Sequence, residues 1–213
     1  MNEILNLIGS YKIVPVIVIN DSSDAVPLAE SLNEAGLPVA EITFRTNAAK
    51  ESIASISKKF PDMLLGAGTV LSIDQVKSAV GAGAKYIISP GLNPKVVEYC
   101  LNNNIPITPG VATPTEIERA LELNLNVVKY FPAEALGGIN YLKAVAAPFG
   151  DLKFIPTGGI DEKNITAYLK FPKVLACGGS WMVKNELISE KKFDVIINLS
   201  REAVKIAKEC CSN

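Results

Sequence analysis

The chain of 213 residues contains no histidine, so its chemistry must be carried by lysine, carboxylate, tyrosine, cysteine or serine side chains, or by a bound cofactor. Ser-His-Asp and Cys-His arrangements, histidine-bearing zinc sites and histidine pH switches are excluded. Lys129 is placed unlike the other lysines. Lys12, Lys85, Lys153 and Lys173 each precede an apolar run, whereas Lys129 falls late in one, among Val127, Val128, Tyr130 and Phe131. A lysine of reference pKa ~10.4 is neutral in about one molecule in 2,500 at pH 7. Burial and a neighbouring cation favour the neutral amine, a nucleophile able to form a Schiff base. The alternative is a silent structural ion pair, but bulky apolar neighbours make an unneeded buried charge costly.

Glu41, Thr43 and Arg45 alternate along another apolar run and so share one strand face, as do Val127, Lys129 and Phe131. If both faces point inward, a lysine, a carboxylate and a guanidinium converge. Glu41 is then the natural proton shuttle in the absence of histidine, its alternative role being an electrostatic anchor for Lys129 or Arg45. Glu134, just past Pro132, is expected to be solvated or structural, and Trp181 to be packing. The pairs Gly158-Gly159 and Gly178-Gly179 follow apolar runs, where backbone N–H groups build phosphate sites, with Thr157 and Ser180 as added hydroxyl donors. Gly66 to Thr69 (GAGT) either lets a ligand approach the backbone or forms a plain turn.

The elements that must position these residues are eight short β-rich runs: 13–19, 39–43, 63–67, 86–89, 105–108, 127–131, 154–157 and 174–177. Their centres lie about 20 to 26 residues apart, the length of a strand, a loop and a helix. Between them Ser72 to Gln75 and Thr113 to Glu116 read as capping boxes, and Pro94 opens a helix after Asn93. Gly36 and Gly83 sit where left-handed C-caps belong, and Pro61 and Pro148 stop their helices. Eight such units predict an α/β fold, a single-domain (β/α)8 TIM barrel spanning 1–213, with its active site at the strands' carboxyl ends. An extra N-terminal helix is expected over 2–10, and a last outer helix over 193–210. An open doubly wound sheet is disfavoured, because no glycine follows the first run until Gly36. Pro15 argues against its own strand, since proline removes a ladder donor.

With 21 basic and 22 acidic side chains, a formal net charge of −1 and 48% hydrophobic residues, the chain carries no electrostatic footprint for nucleic acid or anionic lipid. A small-molecule partner is expected, with no nucleic acid and no membrane. No apolar run approaches the ~18 residues of a membrane span, and the start lacks a signal peptide's basic region, so a cytoplasmic location is expected. Cys100, Cys177, Cys210 and Cys211 show no metal or disulfide spacing and are expected to be reduced.

Six motifs together resemble a known family. They are EITFR (41–45), GAGTV (66–70), SPG (89–91), KYFPAE (129–134), PTGG (156–159) and GGSW (178–181), similar in order and spacing to those of the 2-keto-3-deoxy-6-phosphogluconate (KDPG) and 4-hydroxy-2-oxoglutarate (KHG) aldolases. The resemblance implies a class I, metal-independent lyase that needs no cofactor, usually a homotrimer. It releases pyruvate from a keto acid, leaving glyceraldehyde 3-phosphate or glyoxylate. By the same resemblance Lys129 forms the Schiff base and Glu41 shuttles protons. Arg45 and Thr69 hold the pyruvate carboxylate, and Pro90 and Phe131 wall the pyruvyl end. Thr157 lies by the aldehyde portion, and Gly158, Gly159, Gly179 and Ser180 line the phosphate pocket. One stretch departs from the pattern: some members carry an arginine late in strand one, where this chain reads VIVIN (16–20). That bears on the balance between the phosphorylated and the shorter substrate. Two other readings remain open from the residues: a phosphosugar isomerase or epimerase, and a non-catalytic binder of phosphorylated acids.

Overall fold

The computed structural model describes residues 3–211; Asn2, the first residue of the expected N-terminal helix, lies outside them. The elements in order are α1 (Glu3–Tyr11), β1 (Ile13–Ile17), α2 (Ala25–Glu34), β2 (Val39–Thr43), α3 (Ala49–Lys59), β3 (Leu64–Gly68), α4 (Ile73–Gly81), β4 (Tyr86–Ser89) and α5 (Pro94–Asn102). They continue with β5 (Ile107–Val111), α6 (Pro114–Glu122), β6 (Val127–Tyr130), α7 (Gly138–Ala146), β7 (Lys153–Pro156), α8 (Ile165–Leu169), β8 (Cys177–Gly179), α9 (Asn185–Ser189) and α10 (Phe193–Cys211). Every strand pairs in parallel with its sequence neighbour from β1 to β7, and β1 also pairs with β8. Parallel bridges Phe154–Val174 and Thr157–Gly178 close the seam. This is the expected (β/α)8 barrel with its extra N-terminal helix.

Strand alternation divides the apolar residues into two cores. Val14, Val39, Leu64, Tyr86, Val127 and Ile155 point into the barrel, where they pack with Leu5 and Ile8 of α1. That helix therefore stoppers the amino-terminal end, each fully buried side chain contributing about 2 kcal/mol. The outward set, including Ile42, Leu65, Ile87, Val128, Tyr130 and Phe154, packs under the helices. With Val127 inward and Val128 outward, parity turns Lys129 inward; with Ala40 and Ile42 outward, it turns Glu41 inward.

The helix signals act much as expected. Thr113 and Glu116 form a complete capping box, and Asn93 accepts from Lys95 N–H ahead of α5. Ser72 accepts from Gln75 N–H, but the return bond differs: Gln75 Oε1 takes the amide of Leu71 at 2.7 Å. Gly36 and Gly83 lie at φ +76° and +108° behind α2 and α4, where a Cβ would be strained.

Strand ends are where the structure corrects the sequence. The fifth strand runs over Ile107–Val111 and the eighth over Cys177–Gly179, so Gly178 and Gly179 belong to the eighth strand rather than following it. They are glycines because a Cβ at 178 would overlap Thr157 Oγ1, and one at 179 the ring of Trp181, which packs there buried. Pro15 lies inside β1, paired with Gly179. N–H groups of a parallel strand face its two neighbours alternately, so one proline removes a bond on one side only.

Cys100, Cys177 and Cys210 are free thiols, while the side chain of Cys211 lies outside those described. Burial pushes the Cys100 thiol up to about 11 and the Cys177 thiol higher still. Among the described residues no helix is long and apolar enough to cross a membrane.

Candidate active site

Lys129 and Glu41 reach each other across the barrel from strands that are not neighbours. The lysine Nζ lies 3.5 Å from Glu41 Oε1, with the side chains 6% and 2% exposed. So dry a pair is strongly coupled, and removing either partner strands a charge in an apolar surrounding. Phe131 adds an aromatic face whose centroid is 5.1 Å from Nζ, within range of a cation–π attraction.

Two glycines of β3 make room for this arrangement. A Cβ on Gly68 would overlap the Glu41 carboxylate, and one on Gly66 the ring of Tyr86. Tyr86 is 1% exposed and donates its hydroxyl to Ala40 O at 3.0 Å, one residue before Glu41. Burial, reinforced by the Glu41 charge, holds its phenol well above the usual range. The open backbone at 66–68 thus accommodates the protein's own side chains rather than a ligand or a plain turn.

Arg45 and Thr69, just past the carboxyl ends of β2 and β3, meet at the rim. Arg45 is exposed, and its Nε donates to Thr69 Oγ1 at 3.4 Å. Thr69 holds φ +57°, a left-handed conformation costly for a β-branched residue and characteristic of sites where strain has a use. Thr43, on the same face as Glu41, ties its hydroxyl to Ile17 O at 2.8 Å and so fixes the exit of β2 against β1.

A cavity of about 210 Å³ opens over Lys129. Of the expected site residues it is lined by Arg45, Lys129, Phe131, Thr157, Gly158, Gly159, Gly179 and Ser180. Glu41 lies buried against Lys129, Thr69 is joined to the cavity through Arg45, and Pro90 packs its carbonyl against Gly110 instead. Val16, Val18, Ile160 and Gly178 complete the wall and were not among the expected site residues. Strand alternation was the available signal for the valines, since Val14 faces inward and Val16 and Val18 follow at steps of two. They make that side of the cavity apolar.

The far end of the cavity is a turn of backbone amides. Thr157 O accepts from Ala133 N at 2.8 Å, Gly158 O from Glu134 N at 3.0 Å, and Gly159 O from Asn164 Nδ2 at 2.9 Å. In a trans peptide the carbonyl and the following N–H point in opposite directions. The parallel bridge between Thr157 and Gly178 turns the Gly158 N–H toward β8, and the N–H groups of Gly159 and Ile160 point away from the donors that hold the preceding carbonyls. Gly158 and Gly159 sit at φ +99° and +79°, and successive amides so arranged form an anion-binding concavity. Glu134 is structural, as one of its two expected roles had it: Tyr168 donates its hydroxyl to Glu134 Oε1. Burial, then that bond, raises the Tyr168 phenol.

The model of the aldolase family described as KDPG and KHG aldolase matches residues 4–199, a span that contains all six motifs. The chain belongs to the KDPG and KHG aldolase family. A 2-dehydro-3-deoxy-phosphogluconate aldolase of Treponema pallidum is 46% identical over 97% of this chain and 98% of its own length. The KHG/KDPG aldolase of Escherichia coli K12 is 41% identical over 95% of each. Among solved structures, the KDPG aldolase of Legionella pneumophila, with pyruvate captured at low pH as a covalent carbinolamine, superposes with a TM-score of 0.91 at 40% identity. That match covers 95% of this chain and 98% of the other. In this member of the family the minimal loops and the α1 stopper leave the carboxyl-end cavity as the place where the expected residues gather.

Proposed function

We propose that the chain is a class I aldolase. It cleaves 2-dehydro-3-deoxy-6-phosphogluconate to pyruvate and glyceraldehyde 3-phosphate, and 4-hydroxy-2-oxoglutarate to pyruvate and glyoxylate. The observation that carries the reading is the desolvated Lys129–Glu41 pair beneath a cavity rimmed by Arg45, in a chain similar to the Legionella enzyme that holds a pyruvate carbinolamine.

In this reading the Arg45 guanidinium, oriented by Thr69, pairs with the keto acid's carboxylate and sets its C2 above Lys129. Glu41 first takes a proton from the Lys129 ammonium; the neutral amine so formed attacks C2, and Glu41 returns that proton as the carbinolamine loses water to give a protonated imine. Glu41, now a carboxylate, takes the proton of the C4 hydroxyl. The C3–C4 bond breaks, its electron pair enters the imine as an enamine, and C4 leaves as the aldehyde. Protonation of C3 and hydrolysis of the imine then free pyruvate and Lys129. Phe131 walls the pyruvyl end, and Thr157 faces the aldehyde portion. The amide turn at Gly158 to Ile160, with Gly179 and Ser180, takes the phosphate through neutral donors, as the apolar Val16 and Val18 wall requires.

Borohydride added in the presence of pyruvate tests the reading directly: one reduced adduct is expected, on Lys129. No adduct, or one on another lysine, would overturn it. A dehydrogenase-coupled assay on one preparation then ranks the two substrates by pyruvate release. The same proposal takes 1–213 as one catalytic domain, acting as a homotrimer in the cytoplasm without cofactor. Light scattering on the eluted protein reads the oligomeric state.

A further inference from the structure

We propose that Tyr86 is a positioning residue for the proton shuttle: its ring, laid across Gly66, holds the Glu41 carboxylate up at the height of Lys129. The placement follows from register. Glu41 of β2 pairs with Gly66 of β3, and Gly66 with Tyr86 of β4, so the three stand side by side at one height in consecutive strands. Parity turns Glu41 inward, and Tyr86 packs in the inner core. Because the residue between them has no side chain, the ring crosses a whole strand: a Cβ on Gly66 would overlap its Cε2 and Cζ. The hydroxyl thus reaches β2 and donates to Ala40 O at 3.0 Å, on the residue before Glu41.

The ring thereby fills the inner space beside the Glu41 backbone. The carboxylate stands one layer nearer the mouth, where a Cβ on Gly68 would overlap its Oε1. From there Oε1 meets Lys129 Nζ at 3.5 Å. Two glycines two residues apart therefore carry two side chains from flanking strands, the ring on the lower and the carboxylate on the upper. Among the described residues Lys129 is the only hydrogen-bond or ion-pair partner of that carboxylate, so no second polar contact keeps it at this height. The Tyr86 proton is committed to backbone and does not compete for it. Without the ring, the Glu41 side chain would be free to drop into the space over Gly66, away from Nζ.

The kinetic part of this inference rests on the aldolase reading; the coupling part does not. Tyr86→Leu keeps an apolar side chain and removes the ring. Its kcat should fall at least ~10-fold for either substrate, as a misplaced reacting group does, while KM, set at Arg45 and the amide turn, stays within about twofold. Borohydride with pyruvate should still mark Lys129. Tyr86→Phe keeps the ring and loses only its tether, so kcat should return to within about threefold of the unaltered protein. Gly66→Ala pushes the ring out of place instead of removing it; it should lower kcat in the same way, and it serves should Tyr86→Leu not fold. The measurement that needs no catalysis is a double-mutant cycle of Lys129→Ala and Glu41→Gln in urea, whose coupling should fall by about half or more in the Tyr86→Leu background. Unaltered kcat in folded Tyr86→Leu, as great a loss in Tyr86→Phe, or undiminished coupling overturns the inference. If the unaltered protein releases pyruvate from neither substrate, the aldolase reading fails, and the coupling cycle still decides the role of Tyr86.

Discussion

The carboxylate of Glu41 occupies the volume that a Cβ on Gly68 would need. The proton shuttle of the proposed reaction is therefore positioned by an absence in the neighbouring strand. Gly68→Ala must displace Glu41 or bend β3, since barrel cores have little slack. The expected cost is about 1 to 3 kcal/mol of stability, with kcat falling far more than KM rises. Steady-state kinetics beside a thermal melt separate the two effects, and full activity would remove Gly68 from the site.

Glu41→Gln keeps shape and hydrogen bonding while removing the titratable proton. Turnover should drop at least ~100-fold with the fold intact, the usual worth of a general acid–base. A mild loss would return Glu41 to the role of an electrostatic anchor.

Lys129→Ala should abolish borohydride trapping and also destabilise. It leaves Glu41, 2% exposed at its side chain, without its cation, a loss of about 3 kcal/mol for a broken buried pair. The double variant Lys129→Ala with Glu41→Gln should regain part of that, measured by urea unfolding.

Alkaline pH should loosen the barrel. Burial raises Cys100 from 9.0 to about 11 and Tyr130 from 10.0 to about 12, and holds Tyr86 well above its usual value. Below the unfolded values both states keep these protons and stability is complete. As pH climbs from about 9 toward 12 the unfolded chain releases protons that the folded chain retains. Stability then falls by about 1.4 kcal/mol per pH unit for each group in its window. Melting temperature against pH, read together with tyrosinate absorbance, should show the phenols of Tyr86 and Tyr130 ionising on unfolding and not before.

The barrel was legible in the sequence because its units repeat: apolar runs, caps and stops recur at one spacing, and parity gives Lys129 and Glu41 each a defined strand face, while which face is the inner one took the packing of the whole barrel to decide. Contacts between elements distant in the chain were less so. Nothing local in Gly178-Gly179 distinguishes a turn from a strand that must clear Thr157 and Trp181, and the apolar run that signals the eighth strand stops before those glycines begin. Glu134 left two roles open because its partner, Tyr168, lies on another helix. On sequence the glycines at 66 and 68 suggest room for a ligand or a turn, yet the claimants are Tyr86 and Glu41, which approach from flanking strands. Side chains that cross the barrel leave no periodic trace.

The stopper formed by Leu5 and Ile8 of α1 makes the barrel a blind-ended well. Substrate, water and both products must share one mouth. In the proposed reaction the aldehyde is formed on the side of the amide turn, while the three-carbon fragment stays bonded to the lysine at the bottom. Departure is therefore sequential, aldehyde first and pyruvate last. In the synthetic direction the order of entry is reversed, so pyruvate must load before the aldehyde that would otherwise block its way.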